Sequence, residues 1–320
     1  MQFGFVLLTG VTLPIAYISH PDCLLHDVGS GHPERPARLN AIWDQLISSG
    51  MEFILHQYEA PLVKREHLDR VHDPDYVTGL LVEAPLEGVL RLDSDTFMMP
   101  KTLDAALRAA GAVVQGVDLV IEGKASSAFC SVRPPGHHAE RHRAMGFCYF
   151  NNVAVGAAYA MDVYGFDRVA IVDFDVHHGN GTEDIFRQDP RVLFCSSFQH
   201  PFYPFTGHDS GSDHVINIPL AAGSSGADFR TLTKQYWLPA LERFQPQLMM
   251  ISAGFDAHAE DEMGNLRLRE DDYAWITGEL KSIAEKYAKG RVVSVLEGGY
   301  ALSALGRSVV AHLDGLLGNG

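Results

Sequence analysis

The stretch VDFDVHHGNG (172–181) packs Asp173, Asp175, His177 and His178 into six positions directly after the apolar run RVAI. RVAIVDF reads as a strand buried on both faces, where unpaired charges are costly, so these groups need partners. Asp175 and His177 are two apart, and on an extended strand both point to the same side. Asp256, at the end of the run LMMISAG, could complete a three-residue ligand set. Two carboxylates and one imidazole leave a position for water, which is the pattern of a catalytic metal site and not of a closed structural one. The competing reading is a buried Asp–His network that only braces the sheet. The second aspartate and a separate histidine pair weigh for the metal.

That pair is His137 and His138 in RPPGHH. They could serve as two acid/base groups, or as one base and one electrostatic group. Both need partners to fix their tautomers, and Asp173 and Asn180 are candidates. An aspartate biases its histidine toward the cation, whereas an asparagine leaves it nearer neutral. Tyr300 follows Gly298 and Gly299 at another strand end. Its hydroxyl could donate to a developing oxyanion.

The elements that must position these residues follow from the apolar pattern. Strand-like runs recur at 126–132, 168–175, 191–197, 247–254 and 291–298, with a first strand at LPIAYIS (13–19). Helical patterns fall at 102–123, 152–165, 229–244, 272–290 and 305–318. Short Val/Ile/Leu strands alternating with helices predict an α/β fold with one mostly parallel sheet, covered by helices on both faces. The polar residues follow the strands each time, in RPPGHHAE, DFDVHHGNG, FQHPFYPFTGH, FDAHAED and GGY. Open α/β sheets bind ligands at that carboxyl edge, so distant loops are expected to line one cleft.

Composition narrows the classes. With 320 residues, 46% of them hydrophobic, and with no linker or repeat, a single domain over 1–320 is the simpler expectation. The net charge is −15, from 40 acidic and 25 basic residues, which disfavours direct nucleic-acid binding. Cys23, Cys130, Cys148 and Cys195 are scattered, which suggests reduced thiols and a cytoplasmic protein. The apolar start MQFGFVLLTGVTLPIAYISH lacks a basic region and is broken by Thr, Gly and Pro. It reads as a leader running into the first strand, not as a signal peptide or membrane span.

HPERPARL (32–39), RPPGHHA (133–139), MGFCYFNNVAVGA (145–157), VDFDVHHGNGT (172–182), SAGFDAH (252–258) and LEGGY (296–300) together resemble the histone deacetylase superfamily in order and spacing. The similarity is to the class II type and to bacterial deacetylase-like and acetylpolyamine amidohydrolases, from about His20 to near the C-terminus. The resemblance implies the arginase–deacetylase α/β fold, with Asp175, His177 and Asp256 as zinc ligands. It implies His137 backed by Asp173, His138 backed by Asn180, and Tyr300 polarising the amide carbonyl. Gly146 and Phe147, with Phe202 or Tyr203 opposite, would form a narrow tunnel. Asp173, Asp175, His177, Ser196 and Ser197 match a structural potassium site, and Arg38 an arginine near an internal acetate channel. By resemblance Met263 falls at the position where polyamine-selective relatives carry Glu. Glu262, Asp93, Asp95, Glu260 and Asp261 could supply an acidic rim.

The expected function is hydrolysis of N-acetyl (acyl) lysine amides by a zinc enzyme, with Fe²⁺ tolerated by the mixed O/N donor set. The alternative substrate is an acetylpolyamine. More distant readings are a dimanganese ureohydrolase and a non-enzymatic acyl-lysine binder. Oligomeric state is left open by the sequence.

Overall fold

The computed structural model describes residues 13–318. The apolar start before Leu13, including most of the expected leader, lies outside the described residues. Eight parallel strands form one sheet: β1 (Ile15–Ser19), β2 (Leu55–Glu59), β5 (Ser127–Cys130), β6 (Val169–Asp173), β7 (Val192–Gln199), β8 (Val215–Leu220), β9 (Leu248–Ala253) and β10 (Val292–Leu296), in the spatial order β2-β1-β5-β10-β9-β6-β7-β8. β3 (Leu90–Arg91) and β4 (Phe97–Met98) form a separate antiparallel pair. The helices are α1 (Asp22–Leu25), α2 (Ala37–Ser49), α3 (Arg65–Leu68), α4 (Pro74–Glu83), α5 (Thr102–Ile121), α6 (Asn152–Tyr164), α7 (Asn180–Phe186), α8 (Gly226–Phe244), α9 (Glu270–Tyr287) and α10 (Leu302–Leu316).

The inner strands β5, β6, β7, β9 and β10 are buried along their whole length, as helices on both faces require. Their sequences are the uninterrupted apolar runs expected of such strands. β2 and β8, absent from the apolar runs expected as strands, are the two edge strands and are partly exposed. β10, last in the chain, lies between β5 and β9, pairing Val292 with both Ser127 and Met249.

Local chemistry fixes the helix starts. The Asn151 side chain caps α6 by accepting the Ala154 N–H at 3.1 Å, and its amide donates to Ala139 O at 3.2 Å. The cap therefore also ties down the loop that carries the tandem histidines. α8 begins at a Ser225/Asp228 capping box, three residues before the expected Phe229.

Asp175 and His177 are not on a strand, because β6 ends at Asp173. They lie in a bend beyond it, held by successive side-chain-to-backbone bonds. Asp173 Oδ1 accepts the Asp175 N–H at 3.1 Å, and Asp175 Oδ1 accepts the His177 N–H at 2.9 Å. Such aspartate turns curl the chain, and the curl, not strand alternation, aims both side chains inward. Asp256 likewise lies past the end of β9.

Candidate active site at the carboxyl edge of the sheet

Asp175, His177 and Asp256 are all buried, and each offers a ligand atom within 4.8 Å of the others. Backbone amides steady the set: Val176 N–H donates to Asp256 Oδ1 and Gly298 N–H to Asp175 Oδ2, both at 2.8 Å. A Cβ at Gly298 would lie 2.0 Å from Asp256 Oδ2 and 2.6 Å from Asp175 Oδ2, so only glycine leaves the carboxylates their space. Asp256 Oδ2 is buried, 3.2 Å from His177 Nδ1 and with no well-directed hydrogen bond among the described residues. Burial and the Asp175 charge push the Asp256 carboxyl up to about 7. Two buried carboxylates beside one imidazole, with an oxygen among them left without a well-directed hydrogen bond, form a donor set that fits a divalent cation.

His137 and His138 sit beside this set with ring centroids 4.0 Å apart. His137 Nδ1 lies 2.9 Å from Asp173 Oδ2, and His138 Nδ1 lies 2.7 Å from Asn180 Oδ1. Burial opposes charge on His137, but the Asp173 and Asp175 carboxylates outweigh it and hold the imidazole well above its ordinary value. Burial and the neighbouring His137 and His177 charges push His138 well below.

These histidines open into a cavity of about 380 Å³ that is also lined by His177, Gly146, Phe147, Phe202, Tyr203, Tyr300, Pro135, Asp95, Glu262 and Met263. Phe202 stacks on His177 with centroids 5.6 Å apart, and Tyr203 meets His138 edge-on at 5.3 Å. Gly146 has φ +57, and a Cβ there would lie 2.3 Å from His138 Cδ2. A glycine here thus spares His138 a clash where the chain turns into Phe147. Tyr300 stands under two contacts: Phe147 edge-on at 6.3 Å and the Arg38 guanidinium 4.9 Å from its ring centroid.

Arg38 is fully buried, donating to Gly299 O at 2.6 Å and to Glu34 Oε1 at 3.0 Å. Ser196 and Ser197 lie on β7, and Ser196, paired in register with Asp173, has its Oγ buried without a partner among the described residues. That orphaned oxygen is compatible with a potassium ion at the end of β6.

Except for Asp93, the acidic residues expected at the rim divide between this cavity and an adjoining one. Asp95 and Glu262 line the cavity; Asp93, Glu260 and Asp261 do not. Glu260 pairs with Arg307 at 2.7 Å, and Asp261 is buried against backbone amides. Asp95 is itself partly engaged, accepting from Thr96 Oγ1 at 2.9 Å. Cys148, next to Phe147 in the chain, does not line the cavity. Its thiol is buried, donates to Gly146 O at 3.3 Å, and is pushed well above its usual range by burial.

Several supporting residues take roles that their sequence positions do not announce. Glu297 is fully buried on the loop after β10 and accepts the N–H groups of Gly136 and His137 at 2.7 and 3.1 Å. Arg133 forms a buried fork with Glu34, Nη2 to Oε2 at 2.6 Å. His178 bridges Glu183 at 2.8 Å and Thr206 Oγ1 at 2.9 Å, anchoring the loop that carries Phe202 and Tyr203. Their signal in the sequence was only a charged or polar residue inside a motif already noted for other reasons.

Comparison with known proteins agrees with this architecture. The histone deacetylase domain family matches residues 32–316. A type-2 histone deacetylase of Dictyostelium discoideum is 36% identical over 94% of this chain, which spans 20% of that relative. A probable deacetylase of Archaeoglobus fulgidus is 37% identical over 89% of this chain and 81% of its own length. The human polyamine deacetylase HDAC10 is 36% identical over 95% of this chain and 48% of its own length. Among solved structures, the HD domain of HDA15 superposes with a TM-score of 0.89 at 34% identity, covering 96% of this chain and 90% of that one. With the parallel sheet of the arginase–deacetylase fold and a family match over nearly its whole length, the chain belongs to the histone deacetylase family.

Proposed function

We propose that this protein is a zinc-dependent deacetylase that hydrolyses N-acetyl amides of lysine side chains to acetate and free amine, as one catalytic domain. The observation that carries this reading is the convergence of His137, His138, His177 and Tyr300 on one narrow cavity, with His177 part of a buried Asp–His–Asp set. Asp175, His177 and Asp256 would hold Zn²⁺, or Fe²⁺ in the same donor set, which would supply Lewis-acid polarisation of the acyl oxygen and a lowered pKa for water. His138, whose Nδ1 faces a neutral amide oxygen, accepts the proton of the attacking water at Nε2. His137, paired with Asp173, holds positive charge beside the reacting centre. Tyr300 donates its hydroxyl to the developing oxyanion, and a histidine of the pair protonates the leaving amine. Gly146, Phe147, Phe202 and Tyr203 enclose an aliphatic chain and exclude water. Arg38, beneath Tyr300, borders the path for acetate. Asp173, Asp175, His177, Ser196 and Ser197 would hold K⁺, which would steady the end of β6. The free, buried cysteines suit a cytoplasmic setting. Among the described residues, no helix is long and apolar enough to cross a membrane.

Acetylpolyamines are the second reading, favoured by Glu262 and Asp95 in the cavity lining. A polyamine deacetylase is also among the relatives of this chain. Against them stands Met263, an apolar residue in the same lining. The deciding experiment measures acetate release from an acetyl-lysine peptide, acetylputrescine and acetylspermidine, before and after chelation and Zn²⁺ readdition. Preferred turnover of the peptide, abolished by chelator and restored by Zn²⁺, is expected. Preference for acetylspermidine would reverse the order of substrates. Release of urea from arginine or agmatine with two manganese ions bound would overturn the reaction class.

Asp175→Ala and Asp256→Ala should lose the metal, whereas His138→Ala should keep it and lose turnover. Elemental analysis beside initial rates checks this. An empty site in His138→Ala, or near-full activity, would remove His138 as the base.

A further inference from the structure

The mechanism above needs the Tyr300 hydroxyl in one place, yet the contacts that hold the Tyr300 side chain are weakly directional. Its ring is held by the Arg38 guanidinium and the edge of Phe147. The preceding Gly299 has φ +119, a conformation that glycine adopts without strain. The directional bonds are on the backbone. Arg38 takes the carbonyl of Gly299, and one carboxylate takes the next two amides. Asp261 Oδ2 accepts the N–H of Tyr300 at 2.6 Å and that of Ala301 at 2.8 Å. Its other oxygen, Oδ1, accepts the N–H of Met263 at 2.9 Å.

Asp261 is 6% exposed and five residues beyond Asp256 on the same loop. That loop is itself fastened, Asp261 N–H to His258 O at 2.9 Å and Ala259 N–H to Leu268 O at 2.9 Å. A second cavity of about 360 Å³ adjoins the tunnel, and the two share Glu262, Met263 and Tyr300 in their linings. Two residues of the shared wall, Met263 and Tyr300, are thus held through their backbone N–H groups by one carboxylate.

We propose that Asp261 is a positioning residue for catalysis: one carboxylate that fixes the Tyr300 loop with one oxygen and the Met263 rim with the other. This rests on the deacetylase reading for its kinetic consequence, but the clamp itself is a property of the loop. A buried carboxylate accepting two amides is a charge-assisted arrangement, stronger than neutral bonds. Removing it leaves Tyr300 with a mobile backbone, so the oxyanion donor is misplaced while the tunnel that binds the chain persists.

Asparagine separates the two arms. Its Oδ1 can still accept from Tyr300 and Ala301, but its amide then faces the Met263 N–H, donor against donor. In the zinc-loaded protein, Asp261→Ala should lower kcat on an acetyl-lysine peptide about tenfold or more while KM changes less than about threefold. Asp261→Asn should recover most of the lost kcat. Amide hydrogen exchange at Tyr300 and Ala301, read by mass spectrometry, should show protection in wild type that Asp261→Ala loses and Asp261→Asn retains. Unprotected amides in wild type would overturn the clamp whether or not either variant folds. So would equal kcat in wild type and Asp261→Ala at unchanged metal content. A wild type that protects both amides through Asp261 but releases no acetate would sink the deacetylase reading and leave the clamp standing.

Discussion

His137 and His138 are sequence neighbours with rings in contact, yet one faces a carboxylate and the other an amide. The difference in partner, more than in burial, sets one imidazole toward the cation and the other toward the free base. Tyr300 completes the polar set, and Tyr300→Phe should cut turnover about tenfold or more with metal retained, since on the proposed mechanism only an oxyanion donor is lost. Acetate release beside metal analysis checks this; unchanged turnover would mean Tyr300 is lining only. Asp175, His177, Asp256 and the tandem histidines were legible in the sequence because ionisable residues at the ends of apolar strands are conspicuous. Asp261 and Glu297 were not: each works by accepting backbone N–H groups from distant segments, Glu297 from Gly136 and His137, and such donors leave no trace in residue type.

The loops at the carboxyl edge are built from different devices, and substrate choice belongs to them. The rim loop after β9 offers Met263, where a thioether gives apolar contact but no charge. Met263→Glu should raise kcat/KM for acetylspermidine relative to an acetyl-lysine peptide. An exposed rim pair is worth about 0–1 kcal/mol, so the expected shift is about fivefold, shrinking in high salt. Ratios unchanged at low salt would mean that Glu262 and Asp95 already provide the charge. The loop bearing Phe202 and Tyr203 is tied instead through His178, Glu183 and Thr206. Among the elements, the inner strands were legible as continuous apolar runs. β2 and β8 were not, because an edge strand needs only part of its surface buried: LHQYE reads as a polar loop, and VINIPL carries a proline that only an edge tolerates. The bend after β6 was misread as strand because Asp175 and His177 are spaced by two in either conformation, and only the aspartate turns distinguish them.

At the scale of the whole molecule, the parallel sheet was predictable from its alternation of runs, but the strand order was not, since apolar runs of similar composition do not name their neighbours. That order has a consequence for how the chain reaches its native state. β5 and β9 are joined only through β10, which a ribosome delivers after both. Until then a nascent chain holds two halves of a sheet, each with a long apolar edge whose hydrogen-bonding groups have no partner, a state prone to wrong pairing and aggregation. A fragment ending at Gly290 should therefore be aggregation-prone and bind a hydrophobic dye strongly, not fold as a shortened enzyme. Light scattering and dye fluorescence check this; a monodisperse, cooperatively melting fragment would contradict it. Tyr300 follows that same closing strand, so the catalytic tyrosine proposed here would arrive only once the sheet is sealed, and partly made chains would carry metal ligands without the means to use them.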